Sequence, residues 1–206
     1  MTTRQELRHN LIAKRISARM EPHYLDTLKL LHTSILNGLE HLETLFIDPL
    51  ERLGFYYPIR GEPAISEVLI QWQQAHPNRT IGLPVTTPHE PLQFFSWTQS
   101  TAMRIGYGNI PEPEGTDPME VDILIAPCVG WVVHSNRFWR LGFGGGFYDR
   151  TMQHLHQLGK PPFLIGLGFD NLQVPDTLWE PQEHDWPLDM LITPSGFRCH
   201  TQDRFK

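Results

Sequence analysis

Leu7, Leu11 and Ile16 recur at helical spacing along residues 4–20, while Arg8, Arg15 and Arg19 fall on another side. That pattern predicts an amphipathic N-terminal helix. A second helix is predicted over 24–45, entered through Glu21 and Pro22, where proline suits a first turn. Residues 48–57 predict a strand, 66–76 a helix and 80–83 a short strand. Residues 84–118 are rich in proline and glycine and read as loops around one extended stretch at 92–97. Residues 121–126 form an apolar, β-rich run, and Met152, Leu155 and Leu158 mark a helix over 151–158. Strands at 163–169 and 188–192 complete the series. Strands alternating with helices imply an α/β layered fold, a single domain with a largely parallel sheet flanked by helices.

Between the run at 121–126 and the helix at 151–158 lies Arg140-Leu-Gly-Phe-Gly-Gly-Gly-Phe-Tyr-Asp-Arg150. Gly142, Gly144, Gly145 and Gly146 permit positive φ and a close backbone approach, so successive N–H groups can turn toward one anion. A glycine loop ahead of a helix sets that anion at the positive end of the helix dipole. Asp149 adds a carboxylate suited to a metal. The run lacks the Gly-Lys-Ser/Thr ending of a Walker A loop, and Phe147 stands where a dinucleotide fingerprint starting at Gly142 requires glycine. A nicotinamide-linked oxidoreductase is therefore disfavoured.

The chain has 206 residues, 40% of them hydrophobic, enough for one domain with a buried core. Its formal net charge of −6 argues against a nucleic-acid partner, which calls for a basic footprint. No apolar run reaches membrane-spanning length, and Glu6, His9 and Asn10 do not fit a signal peptide. Cys128 and Cys199 form no Cys-x-x-Cys pair, so neither a disulfide framework nor a zinc site is expected. A cytoplasmic monomer is the expectation.

The glycine run resembles the signature of the 5-formyltetrahydrofolate cyclo-ligase family, also called methenyltetrahydrofolate synthetases, and the resemblance covers nearly the whole chain. Arg4, Leu7 and Arg8 match its N-terminal basic-x-x-Leu-Arg motif, and residues 14–19 continue its basic helix. Gly61-Glu62, residues 81–84, residues 110–113 and His184-Asp185 with Leu188, Asp189, Ile192 and Thr193 follow in the family's order.

The resemblance implies ATP-dependent cyclisation of 5-formyltetrahydrofolate, free or as its polyglutamates, to 5,10-methenyltetrahydrofolate through phosphorylation of the formyl oxygen. It implies the same α/β class in a Rossmann-like arrangement, with ATP as co-substrate and Mg²⁺ as cofactor. Arg140, Tyr148 and Asp149 are its catalytic candidates. Arg4, Arg8, Arg140, Gly142, Gly144, Gly145, Gly146, Phe147 and Tyr148 would contact the nucleotide. Glu62, Phe147 and Tyr148 would contact the folate, and Asp149 and Asp185 the magnesium. Two positions depart from the family's habit: Arg4 stands where lysine is common, and Phe147 where tyrosine is frequent. After Glu62, residues 63–66 also lack the usual acidic-Thr pair. A non-catalytic folate- or nucleotide-binding protein of the same fold is the rival reading, and turnover with ATP separates the two.

Overall fold

A computed structural model describes residues 3–200. The first helix, α1 (Arg4–Ala18), opens with a capping box in which Thr3 accepts from the Glu6 N–H and Glu6 accepts from the Thr3 N–H. It is followed by α2 (Tyr24–Leu45), β1 (Arg52–Gly54), α3 (Ser66–Gln74), β2 (Thr80–Val85) and β3 (Gln93–Ser96). Next come β4 (Met103–Ile105), β5 (Pro111–Pro113), β6 (Pro118–Met119), β7 (Ile123–Pro127), β8 (Gly130–His134) and β9 (Arg137–Leu141). The chain continues through α4 (Phe147–Gln157), β10 (Phe163–Leu167), β11 (Pro187–Leu188), β12 (Met190–Thr193) and β13 (Gly196–Cys199).

An eight-stranded sheet runs in the order β13-β12-β10-β7-β1-β2-β3-β6. Its centre, from β12 through β2, is parallel, and β13, β3 and β6 are antiparallel additions at the two edges. Strands β7, β10 and β12 are covered on both faces, which is why they read as largely apolar runs. Ile123, Ile125, Phe163, Ile165, Met190 and Ile192 pack into one cluster with Leu31, Ile35, Leu39 and Leu42 of α2. The alternate residues Leu124, Ala126, Leu164 and Leu191 enter a second cluster with Met152 of α4. Period-two alternation thus divides each strand between two helical layers. No helix among the described residues is long and apolar enough to cross a membrane.

Contact between β2 and its antiparallel neighbours is close at Gly82, where a Cβ would lie 2.6 Å from the Phe95 carbonyl oxygen and 2.4 Å from Met119 Sδ. Backbone cannot yield as a flexible side chain can. Gly82→Ala is expected to cost about 1–3 kcal/mol, the range for overpacking a filled core. Urea unfolding measures it, and an unchanged midpoint would show that the β2–β3 edge adjusts freely.

Three local expectations need correction. The glycine run does not leave the parallel strand at 121–126: an antiparallel hairpin, β8–β9, intervenes and forms a small sheet with β11. Its turn residues Ser135 and Asn136 both have positive φ, 50° and 59°, the backbone of a type I′ hairpin made without glycine. The loop region 84–118 also holds a second hairpin, β4–β5, and the short strand β6. Finally, α4 starts at Phe147 rather than 151, because left-handed Gly146 (φ 66°) turns the chain directly into the helix.

Connectivity fixes where a crevice opens. From β1 the chain passes through α3 to β2 on one side, and β7 later pairs with β1 on the other. Strand order reverses at β1, and the carboxyl ends of parallel strands diverge at such a point.

Candidate active site

A cavity of about 540 Å³ lies at those carboxyl ends. The segment after β1 contributes Tyr56, Ile59 and Glu62, the end of β2 contributes Pro84 and Thr86, and β7 contributes Pro127. Arg4 and Arg8 reach it from α1, residues 142–149 form another wall, and the β4–β5 turn closes it with Tyr107 to Glu112. All the residues expected from the sequence to contact nucleotide, folate or metal border this one cavity.

The glycines divide into two kinds. Gly144 (φ 101°) and Gly146 (φ 66°) occupy left-handed conformations, whereas Gly142 and Gly145, expected to do the same, have ordinary φ. Their smallness serves side chains instead: a Cβ at Gly142 would lie 2.7 Å from Arg140 Nη1, and one at Gly145 would lie 2.9 Å from the Phe147 ring. At the start of α4 the N–H groups of Phe147, Tyr148 and Asp149 precede any helical acceptor, as in every helix first turn. Arg8 Nε donates to the Gly142 carbonyl at 2.9 Å, which fixes the loop against α1.

Two carboxylates hold the cationic groups in place. Arg140, only 7% exposed, donates from Nη2 to Asp149 Oδ2 at 3.1 Å, and the Trp186 N–H donates to Asp149 Oδ1 at 3.2 Å. Arg4 Nη2 donates to both Asp185 oxygens, at 3.0 and 2.7 Å, and its Nη1 donates to Gln182 Oε1. Because the Trp186 N–H binds Asp149, the Asp149 and Asp185 carboxylates sit on neighbouring stretches of chain. Among the described residues no three His, Cys, Asp or Glu side chains gather into an all-protein metal cage. Magnesium is typically held by one or two carboxylates together with phosphate oxygens and water, so this donor set fits magnesium arriving with a nucleotide.

Glu62 borders the same cavity from the segment after β1. Its side chain is 1% exposed, Oε2 accepts the Ile59 N–H at 2.9 Å, and Oε1 has no hydrogen-bond partner. Burial raises its pKa to about 7, against the Ile59 hydrogen bond and the charges of Arg15, Arg140 and Arg60, which pull it down. An orphaned, desolvated acceptor beside a cavity is suited to a ligand N–H donor. Tyr148 lies under the Arg140 guanidinium, 4.7 Å from Cζ to ring centroid. Desolvation and then the Glu62 charge push the Tyr148 phenol up, so it is a neutral hydroxyl, while Arg140 opposes the shift. Phe147 packs edge-on against Tyr107, with the Arg150 guanidinium over its ring.

Some residues here were not singled out from the sequence. Glu112 is buried, accepts from Arg104 Nε at 3.0 Å and from the Thr86 N–H at 3.3 Å, and so pins the β4–β5 turn to the end of β2. Arg15 sits behind Glu62 with a side chain 1% exposed. Its spacing from Arg4 and Arg8, i, i+4 and i+11, puts the three on one helix face and was the available signal.

Residues 1–194 match the model of the 5-formyltetrahydrofolate cyclo-ligase family. The 5-formyltetrahydrofolate cyclo-ligase of Haemophilus influenzae is 35% identical over 153 residues, covering 69% of this chain and 75% of that protein. The enzyme of the same name from Escherichia coli is 32% identical over 151 residues, with the same coverage of both chains. The fold resembles 5,10-methenyltetrahydrofolate synthetase of Aquifex aeolicus with a TM-score of 0.70 at 21% identity, covering 95% of this chain and 92% of that one. It resembles the Mycoplasma pneumoniae synthetase with a TM-score of 0.68 at 18% identity, covering 92% of this chain and 97% of that one.

Proposed function

The chain belongs to the 5-formyltetrahydrofolate cyclo-ligase family, and on that premise we propose how its cavity converts 5-formyltetrahydrofolate and ATP into 5,10-methenyltetrahydrofolate, ADP and phosphate. The observation that carries the reading is the meeting of two chemistries in one cavity. A glycine loop with buried Arg140 suits phosphate, and the desolvated Glu62 carboxylate suits a heteroaromatic N–H donor.

The formyl group on N5 is an amide, and its oxygen leaves readily only after activation. That oxygen attacks the γ-phosphorus, the bond to ADP breaks, and the formyl oxygen becomes a phosphate ester. N10 then attacks the activated carbon and loses its proton, and the C–O bond breaks to release inorganic phosphate. The route asks the protein for position and charge neutralisation rather than for a nucleophile. The left-handed backbone at Gly144 and Gly146 and the first-turn N–H groups of α4 cradle the phosphates. Arg140 offers its planar fork to the transferring group, and Arg4 and Arg8 add charge at the α1 side. Arg4 presents a fork where lysine presents a point charge, so its contact with phosphate is directional.

Asp149 and Asp185 would hold magnesium, which when bound neutralises phosphate charge. Glu62 accepts N–H donors of the folate, and the Phe147 and Tyr148 rings pack on its flat portions. Cys128 is buried with its thiol pushed up to about 12, which suits a reaction that uses no thiolate. Both cysteines are unpaired, in keeping with a cytoplasmic location. The enzyme is proposed to act as a monomer on the free folate or its polyglutamates.

Substrate carrying heavy oxygen in the formyl group tests the route. One labelled phosphate is expected per methenyl product, followed by the product's absorbance, and Cys128→Ser should leave that ratio unchanged. Label found in water would overturn phosphoryl activation even with cyclisation intact.

A further inference from the structure

We infer that Arg15, which does not itself line the cavity, is the positioning residue that presents the Glu62 carboxylate to the substrate; this rests on the reading of Glu62 as a folate contact. The turn carrying Glu62 is unusual. Arg60 (φ 45°) and Gly61 (φ 80°) are consecutive left-handed residues, and for the non-glycine Arg60 that conformation persists only if its surroundings hold it. Arg15 supplies the hold. Its Nε and Nη2 donate to the Arg60 carbonyl at 3.2 and 3.0 Å, and its Nη1 donates to the Cys128 carbonyl at 3.1 Å, immediately past β7. One guanidinium therefore fastens the strained turn to the end of the parallel sheet.

Close packing reinforces this fastening. A Cβ at Gly61 would lie 3.2 Å from Ile16 Cα and 3.3 Å from the Arg15 carbonyl oxygen, so α1 presses directly on the turn. The same guanidinium comes within 3.9 Å of Glu62 Oε1, the oxygen without a hydrogen bond. That is too long for a hydrogen bond and near enough for strong electrostatic coupling. Arg15 thus attracts the carboxylate without occupying the lone pairs that a ligand needs.

Other groups also face Glu62. Arg60 belongs to its own turn, Arg140 comes from β9 and Tyr148 from α4, while Tyr56 follows β1 and Cys128 follows β7. The two phenols and the thiol are pushed up by burial and stay neutral, so the charges opposing the desolvation of Glu62 are the three guanidinium groups. Among them, Arg15 exerts the largest effect. Removing it raises the pH at which Glu62 ionises. Ionised Glu62 accepts the folate N–H donors, so folate-dependent kcat/KM rises with pH through its titration, and loss of Arg15 moves that rise to more alkaline pH.

The Glu62 carboxyl is followed by carboxyl-carbon NMR on the full chain with labelled glutamate and no substrate, the resonance being assigned from its loss in Glu62→Gln. In Arg15→Met, and in Arg15→Gln should the first not fold, the titration is expected to move up by about one pH unit or more. The rise in folate kcat/KM moves with it. Arg15→Lys, which keeps the charge, is expected to titrate nearer the wild type than either neutral variant. A Glu62 titration that stays in place in a folded neutral variant overturns the inference, as does a Lys variant that shifts as far as Met. A pH rise that persists in Glu62→Gln instead overturns the folate contact, because the substrate-free titration reports on Arg15 separately.

Discussion

Asp149→Asn is expected to lower kcat by at least about 100-fold, the scale for losing one preorganised charge contact at a transferring group. In the first turn of α4, Asp149 accepts from Arg140 through one oxygen and from the Trp186 N–H through the other. Asparagine keeps an acceptor for the backbone N–H but turns an amide NH₂ toward a guanidinium that is itself a donor. Arg140 would then be buried without the carboxylate it donates to, its Nε already lacking a partner. Its aim at the phosphate would be lost. The same substitution replaces a magnesium carboxylate with a weaker neutral ligand, so the deficit should widen as magnesium is made limiting. Methenyl absorbance at graded magnesium measures the effect, and thermal melting checks that a lowered but cooperative transition remains. Wild-type turnover at limiting magnesium would remove Asp149 from the site.

What could be read from the sequence follows from where each property is encoded. The parallel strands were legible because burial on both faces leaves continuous apolar runs, as at residues 123–127 and 163–167. The β8–β9 hairpin was not, because its turn residues Ser135 and Asn136 lack the glycine that marks most type I′ turns. The glycine loop at 142–146 was legible as a whole, since close backbone approach requires glycine in the sequence itself, and it lines the cavity. Which glycines take positive φ was not, because Gly142 and Gly145 are small to admit the Arg140 and Phe147 side chains. Arg15 and Glu112 act through partners from other segments: the Cys128 carbonyl lies 113 residues from Arg15, and Thr86 lies 26 from Glu112. Such pairings appear only when the chain is folded, and from sequence each residue looks like one more surface charge.

The loop's two kinds of glycine lead to the second large effect. Gly144→Val is expected to weaken ATP binding by about 100-fold while leaving the folate site assembled. Its φ of 101° is a conformation that a β-branched residue essentially cannot adopt, and forcing or abandoning it costs about 1–3 kcal/mol. A Cβ there would also reach 3.4 Å from Arg8 Cζ, so the branched side chain intrudes on the guanidinium that donates to the Gly142 carbonyl. The phosphate cradle and one of its cations are disturbed together. At Gly145, φ is ordinary and the obstacle is a Phe147 ring that can shift, so Gly145→Ala should cost less than about ten-fold. Calorimetric titration with nucleotide separates the two variants, with a melting curve to establish that each is folded. Equal losses would mean that space, not backbone conformation, governs the cradle, and wild-type affinity in folded Gly144→Val would show that the left-handed turn serves the chain's path alone.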